Sequence, residues 1–558
     1  MARSLPRFRG HVVTDNVENL LVSTDVLVVG GGPAATWAAV AAAESGAAVT
    51  LVDKGYVGAS GVAATAGVGH WLVPPVAERR DEEISKRERS GGYITDRIWT
   101  EAVLDEAWAR TALISEWGYK PSTKPRGPGT LFGARPGERS FSGAAPDYLR
   151  FLRGKVKKSG VLVLDHSPAL ELLVDAGGTV SGATGYQRQV KRPWRVDAGA
   201  VILATGGTTW KSHSLGGDVN TGDGHLMAAE VGAHLSSMEF SNFYGMVPFG
   251  TSMDKNGFFV TASYWDHLGE PIHYHDLHQS RAELLGASLR GTITAQFTQF
   301  GEETQPALRA AMPNFFMVTD KLGVDPFNER FPMDWVQEGT VRGTGGIHIL
   351  DHDASTGVSG LYAAGDIAAR DRIVGAATGA GGPNLSWAIA TGTWAGRAAA
   401  SFSDSRRATD LSDTRSSGTL GVRDRGFDDV RGSVRAIQSE MLPIDKSVFR
   451  SNDGLIDSAT RLDRLWESAS RDLDHTTAGT EAIAQREAAG MLAMSRWAVR
   501  SALVRTETRG MHTRIDFPAT DVDQTHRLLS GGLNNIWVAP DTELPRVGSA
   551  LAQQGSAS

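Results

Sequence analysis

Residues 25–54 read DVLVVGGGPAATWAAVAAAESGAAVTLVDK, and this stretch decides the fold. DVLVV is a short, apolar, β-branched run of the kind buried in a parallel sheet. Three glycines, residues 30–32, make a turn, and Pro33 suits the first helical position. The Ala-rich run that follows ends at Gly46, a residue suited to closing a helix. AAVTLVDK is a second strand, so the stretch is a complete β-α-β unit. Inside it Gly30, Gly32 and Ala35 have the G-x-G-x-x-G/A spacing of a dinucleotide fingerprint. Gly30 permits the tight turn, Gly32 lets a pyrophosphate approach the backbone, and Ala35 lets helix and strand pack closely. The helix N-terminus then offers free N–H groups and a positive dipole end to phosphate. Asp53 ends the second strand, about 20 residues on, where an acid accepts hydrogen bonds from ribose hydroxyls. An acid there repels the 2′-phosphate of NADP. The fingerprint alone does not separate FAD from NAD.

Outward from this unit, residues 96–118 carry Ile98, Ala102, Val103, Ala107 and Leu113 at helical spacing. GVLVLDHSPALELLVDAGGTVSGATGYQ, residues 160–187, reads as strands joined by a Gly-Gly turn. VDAGAVILATGG, residues 196–207, and LYAAGDIA, residues 361–368, are further buried strands that end on small residues. In the second, Asp366 follows a Gly turn where it could bind a ribityl hydroxyl. A Gly-rich loop then feeds a helix starting near Asn384. Its N-terminus would face the flavin N1/C2 edge, where negative charge develops on reduction. These later segments favour FAD over NAD.

The chain has 558 residues, too many for one hydrophobic core, and two to four domains are expected. Residues 241–344 are aromatic and polar and look like an insertion. Residues 403–432 are charged and polar and look like a linker, and 433–512 are helical in pattern, with Trp466, Leu492 and Trp497 as core positions. The net charge of -7 leaves no basic footprint for nucleic acid. Cysteine is absent, which excludes disulfides and cysteine-ligated iron–sulfur clusters within the chain. Single electrons leaving the flavin would need another protein. The first 24 residues lack the apolar core of a secretory signal, and no run reaches the ~18 apolar residues of a membrane span. A cytoplasmic location is expected.

Several segments together resemble the flavoprotein family of succinate dehydrogenase, fumarate reductase, L-aspartate oxidase and adenylylsulfate reductase alpha subunits. They are VVGGGPAA with VTLVDK, GASGVAATAG (residues 58–67), ATGG (204–207), TGDGHLMAAEVGAHLSSMEF (221–240) and GGIHILDHDASTGVSGLYAAGDIA (345–368). ALVRTETRGMHTRIDFP (502–518) completes the set. The last matches the family's R-x-E-S-R-G-x-H-x-R-x-D-x-P segment and points to the branch with a helical tail. The resemblance implies an α/β fold with a Rossmann-like FAD-binding domain in two segments, 25–240 and 345–402, after an N-terminal extension, 1–24. It implies an α+β capping domain, 241–344, that chooses the substrate, and a C-terminal helical domain, 433–558. FAD contacts fall on Gly30, Gly32, Pro33, Ala34, Ala35, Asp53, Lys54, Ser60, Gly61, Ala66 and Gly67. They continue on Ala204, Thr205, Gly206, Asp223, Gly365, Asp366, Asn384, Leu385 and Ser386.

The departures from the family pattern concern attachment and substrate. In the family's S-H-T-V-A-A-Q-G-G motif the His carries the flavin covalently; Ser60 stands there, so FAD is expected to be non-covalent. The His of Q-F-H-P-T is Tyr244, the His of H-Y-T-M-G-G is Val341, and the Arg before L-G-G-N-S-L corresponds to Gly379 or a neighbour. With these ligands gone, succinate, fumarate and aspartate are expected to be poor substrates. The family's proton-shuttling Arg has its nearest counterpart in Arg290, within SRAELLGASLRGTITAQF (280–297), where a surface Arg is the other reading. Arg342 could bind an anionic substrate or be salt-bridged scaffold. His273, His275 and His278 suit a metal loop, a polar loop or a lid carrying an acid–base group such as His275; no metal is assigned. The expected activity is hydride transfer between flavin N5 and a small molecule that is not a dicarboxylate. Two alternatives stand beside it: a flavin subunit feeding a separate iron–sulfur or ferredoxin-like partner, and a flavin-binding protein without turnover.

Overall fold

β-Branched and apolar residues make the strand Leu20–Val29, and its Val26, Leu27 and Val28 are fully buried. This strand pairs in parallel with Val49–Val52 on one side and with Arg192–Leu203 on the other. The computed structural model describes residues 12–15, 19–121, 138–255, 257–274, 281–378, 381–406, 414–421, 426–469 and 479–542. Among them a nine-stranded sheet organises the cofactor domain. Leu162–Leu164 extends it in parallel beyond Val49–Val52, and Leu361–Ala363 pairs in parallel with Arg192–Leu203. Ala169–Asp175 and Val180–Gln187 form the antiparallel wing around the Gly177-Gly178 turn.

Two helices lie together on the sheet, Pro33–Glu44 and Gly382–Ser405. They touch backbone to backbone because Gly392 and Gly396 lack side chains: a Cβ on Gly392 would lie 2.5 Å from the Ala34 carbonyl oxygen, and one on Gly396 would overlap that of Ala38. The helix expected over 96–118 runs Arg97–Glu116, with Asp96 capping its N-terminus through the Ile98 and Trp99 amides.

The chain leaves this domain at Phe243–Pro248 and returns at Phe331–Glu338, two strands that pair antiparallel with Tyr244 opposite Gln337. They join Thr294–Gln296 and Ser263–Trp265 in a four-stranded sheet. Phe259, Phe297, Phe315, Phe316, Phe327 and Phe331 pack edge and face against one another as its core. Helices Val430–Met441, Asn452–Ala469 and Thr480–Val504 make the C-terminal core, in which Trp466, Leu492 and Trp497 are buried.

Three boundaries differ from the expected ones. The sheet recruits Leu20–Val29 from its first residue, and Val12–Asp15 pairs antiparallel beside it, so residues 12–15 and 20–24 of the supposed extension lie in the sheet of the cofactor domain. Thr414–Ser416, inside the supposed linker, pairs with Ala169–Asp175 because its backbone completes an open sheet edge. The C-terminal region is not all helix: Leu528–Gly531 and Trp537–Pro540 form a sheet with Leu235–Ser236 and Gly346–Ile347. No helix among the described residues is long and apolar enough to cross a membrane.

Candidate functional site

Strand ends and glycine turns converge on one cleft. Gly30 has φ +129°, and a Cβ there would overlap the Ala204 carbonyl, so only glycine fits. The Gly30 amide donates to the Val52 carbonyl at 2.8 Å, and the Ala204 amide to Val29 at 2.8 Å, which brings the ATGG turn beside the fingerprint. Around Gly32 nothing lies within 4 Å of the Cβ position. Gly32 is also the N-cap of Pro33–Glu44 and makes no side-chain cap bond. The helix therefore opens its N–H groups onto empty space, as a pyrophosphate cradle requires. Ala34 and Ala35 are buried behind it.

Asp53 stands over this turn: a Cβ on Gly31 would lie 2.6 Å from its Cγ. Its Oδ2 accepts from the Ser60 hydroxyl at 2.6 Å and the Gly55 amide at 3.0 Å. Burial pushes its carboxyl above the usual range, and these two donors oppose that. Ser60, read as the counterpart of the flavin-linking His, is thus bonded to Asp53, the acid expected at the ribose. Lys54 turns away from the fingerprint toward Asp223, at 2.8 Å, and Glu487, at 3.2 Å. Burial works against its charge, but those two carboxylates outweigh it and hold its pKa above the ordinary lysine value. Asp223 feels burial too, yet Lys54 and the Thr221 hydroxyl keep its carboxyl below the usual range.

The segments expected at the flavin end are loop 58–67, the ATGG turn, the AAGD turn and the start of helix Gly382–Ser405. Gly58 donates to the Gly31 carbonyl at 2.9 Å, and Ala59 and Gly67 are exposed while residues 60–66 are half-buried. Gly61 faces open space, with the Asn220 Oδ1 3.9 Å from its Cβ position. Thr205 and Gly206 cross the cleft there: Gly224 packs on the Thr205 hydroxyl, and Gly206 packs on the Asn220 amide. Gly365 is held by Thr391, whose hydroxyl accepts from its amide at 3.0 Å, and by the Trp387 indole, which donates to its carbonyl at 3.2 Å. Asp366 is ion-paired with Arg370; burial raises its carboxyl, and Arg370 and Arg342 pull it down. Asn384 donates to the Val341 carbonyl at 3.3 Å and keeps a buried Oδ1 without a partner among the described residues. Leu385 packs among Trp37, Val68 and Tyr148. The Ser386 hydroxyl is taken by the main chain of Trp71, accepting at 2.9 Å and donating at 3.1 Å.

Where the capping domain joins, charges gather around one ring. The Arg281 guanidinium lies 4.4 Å and that of Arg342 5.6 Å from the Phe243 centroid. Arg281 also donates to the Tyr244 carbonyl at 2.6 Å; burial first, then Arg342, push its pKa down to about 10. Glu338 is 3.6 Å from Arg342 and 2.5 Å from Lys255, which also meets Asp254 at 2.6 Å. Burial and the neighbouring Glu338 push the Asp254 carboxyl above the usual range. Arg370 is fully buried and donates to the carbonyls of Thr340, Val341 and Gly343, so it clamps the returning hinge to the AAGD turn. Arg342 lies inside this group, 3.6 Å from Glu338 and over the Phe243 ring.

Of the other three residues expected to act in catalysis, Tyr244 and Arg290 direct their side chains elsewhere. The Tyr244 hydroxyl donates to the Leu442 carbonyl at 2.7 Å, and its ring packs on Leu285 and Val448, which commits it to the C-terminal domain. Arg290 is exposed and donates to the Gly286 carbonyl of its own helix, Ala282–Ser288, at 3.2 Å. His275 lies outside the described residues. Arg281, nine residues before Arg290, is the arginine of that segment that joins this group. Arg281, Lys255, Asp254, Glu338 and Arg370 were missed because single charged residues carry no spacing signal.

The segment 505–516 supports the cleft from outside. Glu507 receives Arg505 at 2.9 Å and Arg509 at 2.6 Å, and Arg505 also meets Glu239 at 2.8 Å. Next along the chain, Gly510 and Met511 pack on Ala376, where the Met511 amide donates to its carbonyl at 3.0 Å. That loop leads into helix Gly382–Ser405.

FAD fits this cleft: it has an open glycine cradle at Gly32, a buried acid beside it, and buried oxygens on Asn220 and Asn384 that have no partner among the described residues. A family model described as an FAD binding domain matches residues 25–383, and one described as fumarate reductase flavoprotein C-term matches residues 439–530. The fumarate reductase flavoprotein subunit of Mycobacterium tuberculosis is 26% identical over 552 residues, 89% of this chain and 92% of that one. The L-aspartate oxidase of Streptomyces coelicolor is 26% identical over 566 residues, 91% of this chain and 90% of its own. The FrdA chain of an E. coli quinol fumarate reductase variant superposes with a TM-score of 0.74 at 21% identity, over 94% of this chain and 98% of that chain. The cleft and the two matched regions give one answer: the chain belongs to the succinate dehydrogenase/fumarate reductase flavoprotein family and is an FAD-dependent oxidoreductase.

Proposed function

We propose that the enzyme transfers a hydride between FAD and an anionic small molecule that is not a simple dicarboxylate, with FAD held non-covalently. When bound, FAD supplies the hydride chemistry at its N5. The observation that carries the substrate reading is the pair of arginines, Arg281 and Arg342, on the Phe243 ring beside the AAGD turn. Four cations, Arg281, Lys255, Arg342 and Arg370, meet three carboxylates, Asp254, Glu338 and Asp366, so the group favours a negative guest. Arg342 is the better anchor, because its side chain is a quarter exposed while Glu338 beside it is buried.

The positions where relatives carry dicarboxylate ligands argue against their substrates. Tyr244 spends its hydroxyl on Leu442, and Val341 is apolar and buried; Gly379 lies outside the described residues. A missing charged hydrogen bond costs about 1.5–3 kcal/mol, so several such losses would leave these acids poorly bound. For the cofactor, Ser60 has no imidazole and its hydroxyl is bonded to Asp53. The open start of helix Gly382–Ser405, capped by no side chain, supports the reading that its dipole faces the flavin N1/C2 edge and raises the potential.

The test is anaerobic titration of the holoenzyme, followed by flavin absorbance. Succinate and aspartate at micromolar concentration should not bleach the oxidised flavin, and fumarate should not reoxidise the reduced form. Bulkier monoanions should perturb the flavin spectrum, and Arg342→Met should abolish that response. Bleaching by succinate or aspartate would overturn the substrate reading. Yellow colour retained on the denatured chain would overturn the non-covalent one. Reoxidation of the reduced enzyme by oxygen alone would mark a self-contained oxidase. Dependence on a ferredoxin-like protein would mark a subunit that exports electrons, since the chain has no cysteine of its own.

A further inference from the structure

The long C-terminal helix, Thr480–Val504, sends Glu487 to the dinucleotide end of the cleft. Lys54 directly follows the ribose-facing Asp53. Its ammonium lies 2.8 Å from Asp223, 2.9 Å from the Thr221 hydroxyl, 3.2 Å from Glu487 and 3.3 Å from the Val219 carbonyl. The other oxygen of Glu487 is 2.7 Å from Lys211. One turn along the helix, Gly490 lets the TGDG backbone come close: a Cβ there would lie 2.6 Å from the Asp223 amide nitrogen. Between Val219 and Thr221 sits Asn220, whose buried Oδ1 has no partner among the described residues and faces the open space at Gly61.

We propose that Glu487 is a positioning residue for the adenosine half of FAD. It fixes the buried Lys54 ammonium, and through it the end of the second strand and the TGDG turn. Asp53 Oδ2 is already taken by Ser60 and Gly55, so the presentation of Oδ1 to a ribose depends on where the backbone at residues 53–55 sits. Without Glu487 the ammoniums of Lys54 and Lys211 lose the carboxylate between them. Lys54 is then left with Asp223 as its one carboxylate, beside the Thr221 hydroxyl and the Val219 carbonyl, and its hold on the turn carrying Asn220 is no longer fixed from the helix side. The C-terminal domain is thereby part of the cofactor site and not an appendage to it. This rests on FAD as the cofactor and is independent of the substrate.

Reconstitution of flavin-free protein tests it, read by quenching of FAD fluorescence, with ADP as the probe of the adenosine half. E487Q should weaken FAD and ADP by the same factor, about tenfold, as expected for loss of one charged hydrogen bond. E487D, which keeps the charge, should recover most of both. The thermal midpoint of the flavin-free E487Q protein should stay near that of the parent. Unchanged ADP affinity in E487Q would overturn the proposal. So would a lowered thermal midpoint with no recovery in E487D, because the helix would then serve only to dock the domain.

Discussion

The two ends of the cleft are built from opposite materials. The dinucleotide end is backbone and small residues: Gly30 pressed on Ala204, Gly32 facing open space, Ala34 and Ala35 packed behind. The capping end is buried charge: Arg370 on Asp366, Lys255 between Asp254 and Glu338, Arg281 and Arg342 about Phe243. A cradle for a fixed, doubly charged pyrophosphate needs close approach and N–H groups, which any side chain would obstruct. A site that must admit and release a substrate needs groups whose charge is held ready, and burial holds them only if they are paired. The first end is therefore constant in kind across dinucleotide proteins, and the second is free to differ.

The largest test separates two glycines two residues apart. Gly30→Ala would place a methyl group on the Ala204 carbonyl at a φ of +129°, and should cost more than about 4 kcal/mol, leaving little folded protein. Gly32→Ala meets nothing within 4 Å, so the thermal midpoint of the flavin-free protein should hold. Its FAD affinity should instead fall roughly 10- to 100-fold as the phosphates are pushed from the helix N-terminus. Equal losses of stability in the two variants would break the distinction between a glycine the fold needs and a glycine the ligand needs.

At the capping end, Arg370→Met should cost about 3–5 kcal/mol in urea denaturation. It leaves the half-buried Asp366 without its partner and strips three hinge carbonyls of their donor. Restoring stability by the double change Arg370→Met with Asp366→Asn would show that the unpaired charge, and not the hinge bonds, carries the cost.

The same contrast explains what could be read in advance. Gly30, Gly32, Asp53 and the AAGD turn stand at fixed spacings within single strand–turn–helix units, so local sequence carries them. Arg370 is four residues from Asp366, and an i,i+4 pair is visible in sequence, but its three carbonyl partners come from residues 340–343, across the domain junction. Lys255 meets Glu338 over 83 residues, and Lys54 meets Glu487 through the topology of the whole chain. Tyr244 misled for a related reason: its place in the motif was legible, but the Leu442 carbonyl that takes its hydroxyl lies 198 residues on. The boundaries at residues 20 and 414 were missed because edge strands are recruited by backbone bonds that place few demands on side chains.

The smallest effect expected is a gain, at a polar group that neither end uses. His70 is buried behind loop 58–67, its ring 5.1 Å from Phe141 and 5.9 Å from Tyr148, and neither ring nitrogen has a partner among the described residues. Burial pushes its pKa down to about 3 from an ordinary 6.5. The folded protein therefore keeps the imidazole neutral, while the unfolded chain binds a proton below about 6.5, so stability is lost as pH falls from there toward 3. At pH 5 that loss is about 2 kcal/mol for one such group. His70→Leu removes both the unpaired polar atoms and the titration. In flavin-free protein it should stabilise by about 1 kcal/mol at pH 7 and by about 2 kcal/mol more at pH 5, read as the shift in urea midpoint. Arg370→Met should behave differently, losing part of its deficit at pH 5, because burial raises the Asp366 carboxyl and removing Arg370 takes away the main group that opposes this. A His70→Leu variant less stable than the parent at both pH values would show that the imidazole has a partner, and that burial at this end also depends on pairing.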